Sequence, residues 1–384
     1  MRILITGVDG YLGWPTLLKL SKNFRETRII GVDNFARRRW VQEIGAVSAN
    51  PIAAMNKRLQ IAREYGYTNI SFIELDLTHY SAVKDLLAVY KPEAVVHLAA
   101  QPSAPYSQIS ALKAHFSQEN NMSMTRNLLW ALKENGLMTS HFIETTTTGI
   151  YGAPSLNIPE GEITALGSDG SKDRIPYPNM ASSWYHVSKG FNATNMRLMH
   201  FQTKMPISDV RTSIVYGFNT EETKDNPDLA TRFDFDFYFG TLFNRWCVMA
   251  IIGEAITVYG SGNQIKPFIH LEDAVESLVN LVKRVSPEEY VVYNQLTEYI
   301  RIGDLAQMIK GYMEEKNTEV AVKNIANPRV EREDTSYRFE NAEFLQLLSG
   351  PPRRMLDSVQ EVLDGLIPYK ERISQHKDNL FEVR

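Results

Sequence analysis

Arg2-Ile3-Leu4-Ile5-Thr6-Gly7-Val8-Asp9-Gly10-Tyr11-Leu12-Gly13 opens the chain with a short β-rich run that passes at once into three glycines spaced three residues apart. The residues that follow, 14–22, have the pattern of a helix. Glycines between a strand and a helix let backbone N–H groups and the helix N-terminus approach a pyrophosphate. The stretch therefore predicts the first unit of an α/β fold and a phosphate-binding turn. The candidate contacts in this turn are Gly7, Gly10, Tyr11 and Gly13.

Asp33 follows a second predicted strand, residues 28–32, and lies 20 residues after Gly13. An acidic side chain at this point hydrogen-bonds the ribose hydroxyls of an adenosine and repels a 2′-phosphate. The opposing signal is the run Arg37-Arg38-Arg39, which could bind an extra phosphate or flank the adenine or the diphosphate. Because Asp33 ends the strand itself, the pattern favours NAD over NADP as the cofactor.

Strands and helices alternate along the first half of the chain, which predicts a doubly wound parallel sheet of the Rossmann type, an α/β fold. The alternation is interrupted by an insertion at about residues 44–68 and fades after residue 215. We therefore expect an NAD-binding domain, 1–215, and a smaller substrate-binding lobe, 216–384, from which parts of the chain cross back. The polar stretch from residue 370 is expected to be a loosely packed tail.

The composition argues against several functions. The 384 residues carry a formal net charge of −4, so no broad basic field is available for a nucleic acid. The one cysteine, Cys247, excludes an intrachain disulfide and a cysteine-rich metal site, and no cluster of metal ligands is recognisable. No apolar run approaches the ~18 to 20 residues needed to cross a bilayer, and no signal peptide is recognisable. These features predict a soluble cytoplasmic protein.

Tyr185 and Lys189 are a candidate proton-transfer pair in the run Ser183-Trp184-Tyr185-His186-Val187-Ser188-Lys189. Helix residues four apart share a face. An ammonium close to a phenol favours the phenolate, by ~1.4 kcal/mol for each unit of pKa. Tyr185 could then act as a base near neutral pH. The alternative is an ordinary amphipathic helix surface, since Tyr-x-x-x-Lys arises often by chance.

Threonines follow the predicted strand 141–145 in the run Thr146-Thr147-Thr148-Gly149. Ligands of parallel sheets bind at the carboxyl ends of the strands, so these hydroxyls lie where chemistry would occur. A threonine-rich strand without function is the alternative. His97, inside another predicted strand, is interpreted as a satisfied core histidine.

These features together resemble the extended short-chain dehydrogenase/reductase superfamily, whose members modify nucleotide sugars, and the resemblance covers nearly the whole chain. It implies that Thr147, Tyr185 and Lys189 assist hydride transfer between C4 of a sugar and a tightly held NAD. Besides the glycine turn, Tyr185 and Lys189, the cofactor contacts that it implies are Asp33, Asn34, Arg37, Arg38, Asp76, Leu77, Ala99, Ala100, Gln101 and Asn121.

Other runs resemble the UDP-sulfoquinovose synthase family more than the epimerases of this superfamily. They are spread over the chain, and most have no part in generic NAD binding. Among them are Ser103-Ala104-Pro105-Tyr106-Ser107, Phe239-Gly240-Thr241 with Asn244-Arg245, and Asn327-Pro328-Arg329-Val330-Glu331. The implied substrates are UDP-glucose and sulfite.

The implied reaction oxidises C4 of UDP-glucose, eliminates water across C5 and C6, adds sulfite at C6 and reduces C4 again. Ordinary 4,6-dehydratases of the superfamily carry an Asp-Glu pair directly after the threonine, whereas Thr148 and Gly149 stand there in this chain. We therefore expect His186 to supply the elimination chemistry. A helix-surface histidine that touches the cofactor is the alternative.

Arg245, Lys266 and Arg329 are the candidate cations for the UDP diphosphate, because charge-assisted bonds to phosphate oxygens are strong. Each could instead be a solvated surface charge. The other substrate contacts expected are Thr147, Thr212, Thr241, Thr257, Tyr259 and Gln264. Two positions depart from the synthase pattern, since Pro102 replaces an arginine and Ile150 a glutamate.

The resemblance also implies a homodimer built on the helix of Tyr185 and a helix at about residues 110–135. Two other functions remain open. A UDP-glucose 4-epimerase would need only Thr147, Tyr185 and Lys189 and would form UDP-galactose without sulfite. A non-catalytic NAD-binding protein would have no need of all three side chains.

Overall fold

A seven-stranded parallel sheet forms the centre of the computed structural model, which describes residues 1–152, 156–177, 179–284, 289–326 and 338–381. Its strands run in the order β3-β2-β1-β4-β5-β9-β13, so the strand order reverses beside β1. The strands of this sheet are β1 (Arg2–Thr6), β2 (Arg28–Asp33), β3 (Ile70–Glu74), β4 (Ala94–His97), β5 (His141–Thr147), β9 (Ile207–Thr212) and β13 (Tyr290–Gln295). The predicted doubly wound parallel sheet is confirmed.

Helices cover both faces of this sheet. Their apolar side chains pack against the strands in two separate clusters of buried residues. One of these clusters includes residues of the helix that spans 271–283. The helices in chain order are α1 (Gly13–Asn23), α2 (Ala36–Glu43), α3 (Met55–Glu64), α4 (Tyr80–Tyr90), α5 (Ala111–Glu134), α6 (Trp184–Thr203), α7 (Leu242–Ile252), α8 (Leu271–Lys283), α9 (Ile302–Glu315), α10 (Ala342–Leu345), α11 (Met355–Leu366) and α12 (Lys370–Ser374). Among the described residues, no helix has the length and apolar character needed to cross a membrane.

A second apolar core lies in the later part of the chain, between α7, α9 and α11. Among the described residues, the short strands outside the central sheet form one three-stranded and three two-stranded sheets. These strands are β6 (Asn157–Ile158), β7 (Glu162–Leu166), β8 (Lys172–Pro176), β10 (Ile214–Tyr216), β11 (Ile256–Tyr259), β12 (Ile265–His270), β14 (Glu298–Arg301), β15 (Val322–Ile325) and β16 (Arg338–Phe339).

Two segments beyond residue 215 return to the first part of the fold. Strand β13 is an edge of the central sheet, and α8 packs against α1. The division of the chain at residue 215 stays a prediction. The expected loose tail is wrong, because Ile373 and Leu380 are fully buried in the second core.

The helix that carries Tyr185 begins at a side-chain cap. Ser183 has an extended backbone, and its Oγ accepts a hydrogen bond from the His186 N–H at 3.2 Å. Such a cap satisfies one of the N–H groups that a helix start leaves without an intrahelical partner. The cap therefore fixes where α6 begins, one residue before Tyr185.

Candidate active site

A cavity of about 1340 Å³ lies at the carboxyl ends of β1, β2, β4 and β5 and extends to the second lobe. This is the place where open parallel sheets bind ligands, beside the point at which the strand order reverses. The sequence-predicted residues in its wall are Gly7, Gly10, Tyr11, Gly13, Asp33, Asn34, Arg37, Leu77, Ala99, Ala100, Thr147, Tyr185, His186, Lys189, Thr212, Thr241, Arg245, Thr257, Tyr259, Gln264 and Lys266. The fold thus gathers most of the predicted site in one place.

The glycine turn passes too close to its neighbours for side chains. A Cβ at Gly7 would lie 2.6 Å from the Ala99 nitrogen, and φ at Gly7 is +77°. A Cβ at Gly13 would overlap the Gly7 carbonyl oxygen. The turn therefore needs glycine at both positions, and it brings the start of α1 to the cavity wall.

Asp33 is held at the end of β2 by two backbone donors. Its Oδ2 accepts from the Asp9 N–H at 2.8 Å, and its Oδ1 accepts from the Phe35 N–H at 2.7 Å. Each carboxylate oxygen has further acceptor capacity. Asp33 can therefore still accept hydrogen bonds from a ribose.

Four predicted cofactor contacts, Arg38, Asp76, Gln101 and Asn121, lie behind the cavity wall instead of in it. Both Arg38 donors to Asp9 lie at 2.7 Å from its carboxylate oxygens. Asp76 accepts from Asn34 at 3.1 Å, and Asn121 accepts from the Gln101 N–H at 2.8 Å. Direct contact of these four residues with the cofactor stays a prediction.

Arg232 is a wall residue that the sequence analysis missed. Its guanidinium donates to Asp234 at 2.9 Å, and Arg37 donates to the same carboxylate at 2.7 Å. In the part of the chain that the structure describes, the Nη1 atoms of Arg37 and Arg232 are buried without a hydrogen-bond partner. Both arginines line the cavity, so an anionic group bound there could accept from them. The run Arg232-Phe233-Asp234-Phe235-Asp236 was the available signal.

Thr147, Tyr185 and Lys189 meet in the wall of the cavity as predicted. Thr147 ends β5, where its Oγ1 accepts from the Gly149 N–H at 3.1 Å. Tyr185 and Lys189 lie one turn apart on α6. Lys189 Nζ also forms an ion pair at 3.0 Å with Glu144. The sequence analysis did not predict this carboxylate beside the pair.

The surroundings of Tyr185 in the cavity wall oppose its ionisation, and its action as a base stays a prediction. Burial raises the pKa of the Tyr185 phenol, and the negative charge of Glu144 raises it further. The ammonium of Lys189, which was expected to favour the phenolate, has Glu144 as its ion-pair partner.

His186 occupies the space beside Gly149. A Cβ added at Gly149 would overlap the His186 Nε2 atom. The other ring nitrogen, Nδ1, lies 3.0 Å from Ser183 Oγ, and the ring centroid is 5.1 Å from that of Tyr185. The missing side chain at position 149 therefore leaves room for an imidazole next to the threonine and tyrosine.

The second lobe contributes the other wall of the cavity. Thr241 and Arg245 come from the start of α7, Thr257 and Tyr259 from β11, and Gln264 and Lys266 from the start of β12. Arg329 lies outside the described residues.

The two departures from the synthase pattern lie in different surroundings. Pro102 is in the cavity wall, whereas Ile150 is fully buried beside Tyr151 and Phe339. The departure at position 150 therefore places an apolar side chain in an apolar cluster.

Only one of the two ring nitrogens of His97 has a hydrogen-bond partner among the described residues, whereas the sequence analysis expected a fully hydrogen-bonded core histidine. Its Nδ1 lies 2.7 Å from Thr6 Oγ1, but its buried Nε2 has no hydrogen-bond partner among the described residues. The described residues contain no group of three or more His, Cys, Asp or Glu side chains placed to hold a metal ion.

A glycine turn, an acid at the end of β2, and a threonine, tyrosine and lysine at the sheet edge define a dinucleotide-dependent enzyme of the short-chain dehydrogenase type. A family model described as "NAD dependent epimerase/dehydratase family" matches residues 3–294. The chain is 38% identical over 380 residues to UDP-sulfoquinovose synthase of Sulfolobus acidocaldarius, covering 98% of this chain and 95% of the relative. It is 34% identical to the chloroplastic UDP-sulfoquinovose synthase of Spinacia oleracea, covering 97% of this chain and 77% of the relative.

Solved structures share the fold. UDP-glucuronic acid 4-epimerase from Bacillus cereus, in complex with UDP-glucuronic acid and NAD, matches with a TM-score of 0.68 and 21% identity, over 97% of this chain and 100% of that chain. UDP-glucose 4-epimerase from Bifidobacterium longum, in complex with NAD⁺ and UDP, matches with a TM-score of 0.68 and 16% identity, over 99% and 100%. The chain belongs to the NAD-dependent epimerase/dehydratase family and, within it, to the UDP-sulfoquinovose synthases.

NAD is the cofactor of this enzyme family, and the residues of this cavity fit it. The side-chain-free turn at Gly7 and Gly13 would hold the pyrophosphate, and Asp33 would hold the adenosine ribose. The Nη1 atoms of Arg37 and Arg232, which make no hydrogen bond among the described residues, are suited to the negative charge of the diphosphate.

Proposed function

We propose that this enzyme converts UDP-glucose and sulfite to UDP-sulfoquinovose and water. The observation that carries the proposal is the His186 imidazole beside Gly149, in the same cavity wall as Thr147 and Tyr185. A 4-epimerase needs no additional base at this point, whereas an elimination across C5 and C6 does. The similarity to two synthases over nearly the whole chain supports the same reaction.

The C4 step uses Tyr185 and Thr147. Bound NAD supplies the acceptor, and later the donor, of the C4 hydrogen. Tyr185 in its ionised form takes the proton of the C4 hydroxyl and returns it when C4 is reduced. Because Thr147 Oγ1 already accepts from Gly149, its own hydroxyl hydrogen is available to donate to the C4 oxygen.

The elimination and addition use His186. The C4 ketone acidifies the C5 hydrogen, and His186 removes that proton and passes it to the C6 hydroxyl, which leaves as water. Hydrogen sulfite then adds through sulfur to C6 of the enone, and its proton is delivered to C5. The net change is one sulfonate in place of one hydroxyl.

Arg245 and Lys266 are proposed to bind the UDP diphosphate, with Arg329 as a further candidate from the sequence. Arg245 lies near the start of α7 and Lys266 in β12, and both line the cavity. Charge-assisted hydrogen bonds from either cation to phosphate oxygens would hold the nucleotide at the end of the cavity formed by the second lobe. Substrate binding measured with UDP tests this assignment, which requires weaker UDP affinity after Arg245→Met.

The deciding experiment is to incubate UDP-glucose with the purified enzyme, with and without sulfite and without added NAD. The products are separated by chromatography and identified by mass spectrometry. A sulfite-dependent UDP-sugar that carries sulfonate in place of hydroxyl supports the synthase. Conversion to UDP-galactose, with no sulfonated product, would replace it by a 4-epimerase.

We also propose a homodimer in which α5 and α6 pack against the same helices of a second copy. Their outer surfaces support this, because large apolar side chains are exposed on both helices. They are Leu112, Trp130, Phe191, Leu198 and Phe201, of which Leu112 is 80% and Phe201 75% exposed. Light scattering should give twice the chain mass, and Phe191→Glu with Phe201→Glu should give the monomer. A monomeric wild type would contradict the proposal.

A cytoplasmic location is proposed on the evidence of the one cysteine. Cys247 is fully buried and cannot form an intrachain disulfide. Cell fractionation tests this proposal, and recovery of the protein in an oxidising compartment would contradict it.

A further inference from the structure

The segment that follows β4 contacts the start of α6, the helix that carries Tyr185. It contains the run Ser103-Ala104-Pro105-Tyr106-Ser107, to which the proposed reaction assigns no role. Ser107 lies in a short 3₁₀ turn before α5 and is fully buried. Its Oγ accepts a hydrogen bond from the Tyr185 N–H at 3.2 Å and donates to the Ala104 carbonyl oxygen at 2.7 Å. One buried hydroxyl therefore joins this segment to the backbone of Tyr185.

The Tyr185 N–H is a donor that its own helix leaves without an acceptor. The first four N–H groups of an α-helix have no carbonyl partner within the helix. In α6 the Ser183 Oγ accepts from the N–H of His186, and the Ser183 carbonyl oxygen accepts from that of Val187. Among the described residues, the acceptor for the Tyr185 N–H is Ser107, 78 residues earlier in the chain. Two serines from separate segments thus fix the first turn of α6.

The carbonyl oxygen of Tyr185 is connected to the same segment by a second set of hydrogen bonds. Ser188 Oγ donates to this oxygen at 2.7 Å, and Asn121 Nδ2 of α5 donates to Ser188 Oγ at 3.0 Å. The same Nδ2 donates to the Gln101 carbonyl oxygen at 3.0 Å. The segment 101–107 therefore reaches both polar groups of the Tyr185 backbone, and neither contact involves the phenol.

The segment also contacts the second lobe at the cavity wall. Ser103 Oγ donates to the carbonyl oxygen of Tyr238, and the ring centroids of Tyr106 and Phe239 lie 5.0 Å apart. Ser103, Tyr238 and Phe239 line the cavity, whereas Ser107 lies behind its wall. The segment thus connects the second lobe to the helix of Tyr185.

We propose that Ser107 is a positioning residue that holds the backbone of Tyr185 where its phenol can reach the substrate. The role rests on the proposed function only in that Tyr185 takes the proton of the C4 hydroxyl. Removing the Ser107 hydroxyl leaves a buried N–H without its acceptor, so the first turn of α6 loses the contact that fixes it. Misplacing a reacting group by ~1 Å can slow a reaction ~10²-fold.

Ser107→Ala tests this role through the C4 step. The rate measured is the reduction of bound NAD by UDP-glucose in a single turnover without sulfite, followed by absorbance. We expect this rate to fall at least tenfold, while the dissociation constant of UDP stays unchanged, because Ser107 is not a wall residue. Ser107→Thr keeps the hydroxyl and should recover most of the rate.

The matched control is Ser117→Ala. Ser117 is also fully buried, and its Oγ donates to the Lys113 carbonyl oxygen at 2.7 Å within α5. The same atoms are therefore removed from an equally buried serine that has its partner in its own helix. This variant should reduce NAD at the wild-type rate.

The direct test uses no substrate. Exchange of the Tyr185 amide hydrogen with deuterium is followed by NMR of protein labelled with ¹⁵N-tyrosine, and the signal is assigned by its loss in Tyr185→Phe. We expect exchange at least tenfold faster in Ser107→Ala, because the hydrogen bond that protects this amide is lost. Ser107→Thr and Ser117→Ala should exchange as the wild type does.

Unchanged amide exchange in folded Ser107→Ala would overturn the proposal, and so would cofactor reduction as fast as in the control. If Ser107→Ala does not fold, the wild type decides, because a Tyr185 amide that exchanges like an unprotected one contradicts the hydrogen bond. An epimerase also oxidises C4, so a missing sulfonated product would replace only the synthase. If the wild type does not reduce NAD with UDP-glucose, the proposed function fails and the amide exchange still tests Ser107.

Discussion

The proposed elimination across C5 and C6 depends on Gly149 and His186. Gly149→Ala places a methyl group where the His186 Nε2 atom lies, so the imidazole must move. We expect sulfonated product to fall at least tenfold in the mass-spectrometric assay. Gly311→Ala is the matched control, because a Cβ there meets no atom within 4 Å on α9. Equal losses in both variants would contradict a specific role for Gly149.

His186→Gln tests the base assignment at the same scale. General base catalysis contributes typically ~10²- to 10⁴-fold, so sulfonated product should fall by that range. Reduction of the bound cofactor by UDP-glucose, followed by absorbance, should persist because Tyr185 and Thr147 remain. If cofactor reduction is lost to the same degree, His186 is a neighbour of the cofactor and not the base for C5.

At the scale of elements, the join between β1 and α1 determines whether the cofactor is retained. A Cβ at Gly13 would overlap the Gly7 carbonyl oxygen, so Gly13→Ala must displace the start of α1 from the turn. We expect the variant to purify with little or no NAD, measured by chromatography of the denatured protein. The control Gly350→Ala adds a Cβ in open space and should retain the wild-type amount. Full NAD content in Gly13→Ala would contradict the assigned phosphate turn.

At the scale of the whole molecule, buried ion pairs join the second lobe to the nucleotide turn. Arg232 lies 4.0 Å from Asp9 of the turn, and Asp234 beside it pairs with Arg37 at 2.7 Å. Removing one partner of a buried pair leaves an uncompensated charge, so Arg232→Met should lower the free energy of unfolding by about 3 kcal/mol. Denaturant unfolding measures this loss.

The control for that prediction is an exposed ion pair of the same kind. Arg174 lies 3.4 Å from Glu162, and its side chain is 73% exposed. Surface pairs contribute ~0 to 1 kcal/mol, so Arg174→Met should change stability little. Equal losses in the free energy of unfolding in the two variants would show that the buried ion pairs of Arg232 stabilise the fold no more than an exposed pair does.

Predictions from local patterns agree with the structure. The glycine turn, the alternation of strands and helices, and the position of Asp33 each depend on neighbours within one βαβ unit. The strand β5 and the helix α6 were likewise recognisable, and Thr147, Tyr185 and Lys189 lie together in the cavity wall. Ligands bind at the carboxyl ends of parallel strands in this architecture, so residues at those ends could be grouped in advance.

Contacts between distant segments could not be predicted in the same way. Arg232 was missed as a wall residue, and the hydrogen bond between Gln101 and Asn121 was not foreseen. Whether a polar side chain faces a ligand or a protein partner depends on its rotamer and on the packing of a second element. A sequence pattern specifies neither.

The sequence by itself determined the doubly wound sheet and the grouping of the glycine turn, Asp33, Thr147, Tyr185 and Lys189 around one cavity, because spacing and strand ends encode them. Only the tertiary structure decided the ion pair of Lys189 with Glu144 and the burial of Ile373 and Leu380. Glu144 and Lys189 are 45 residues apart and meet only because α6 packs on β5. Electrostatic effects follow distance in space and burial, and both are set by how the elements pack.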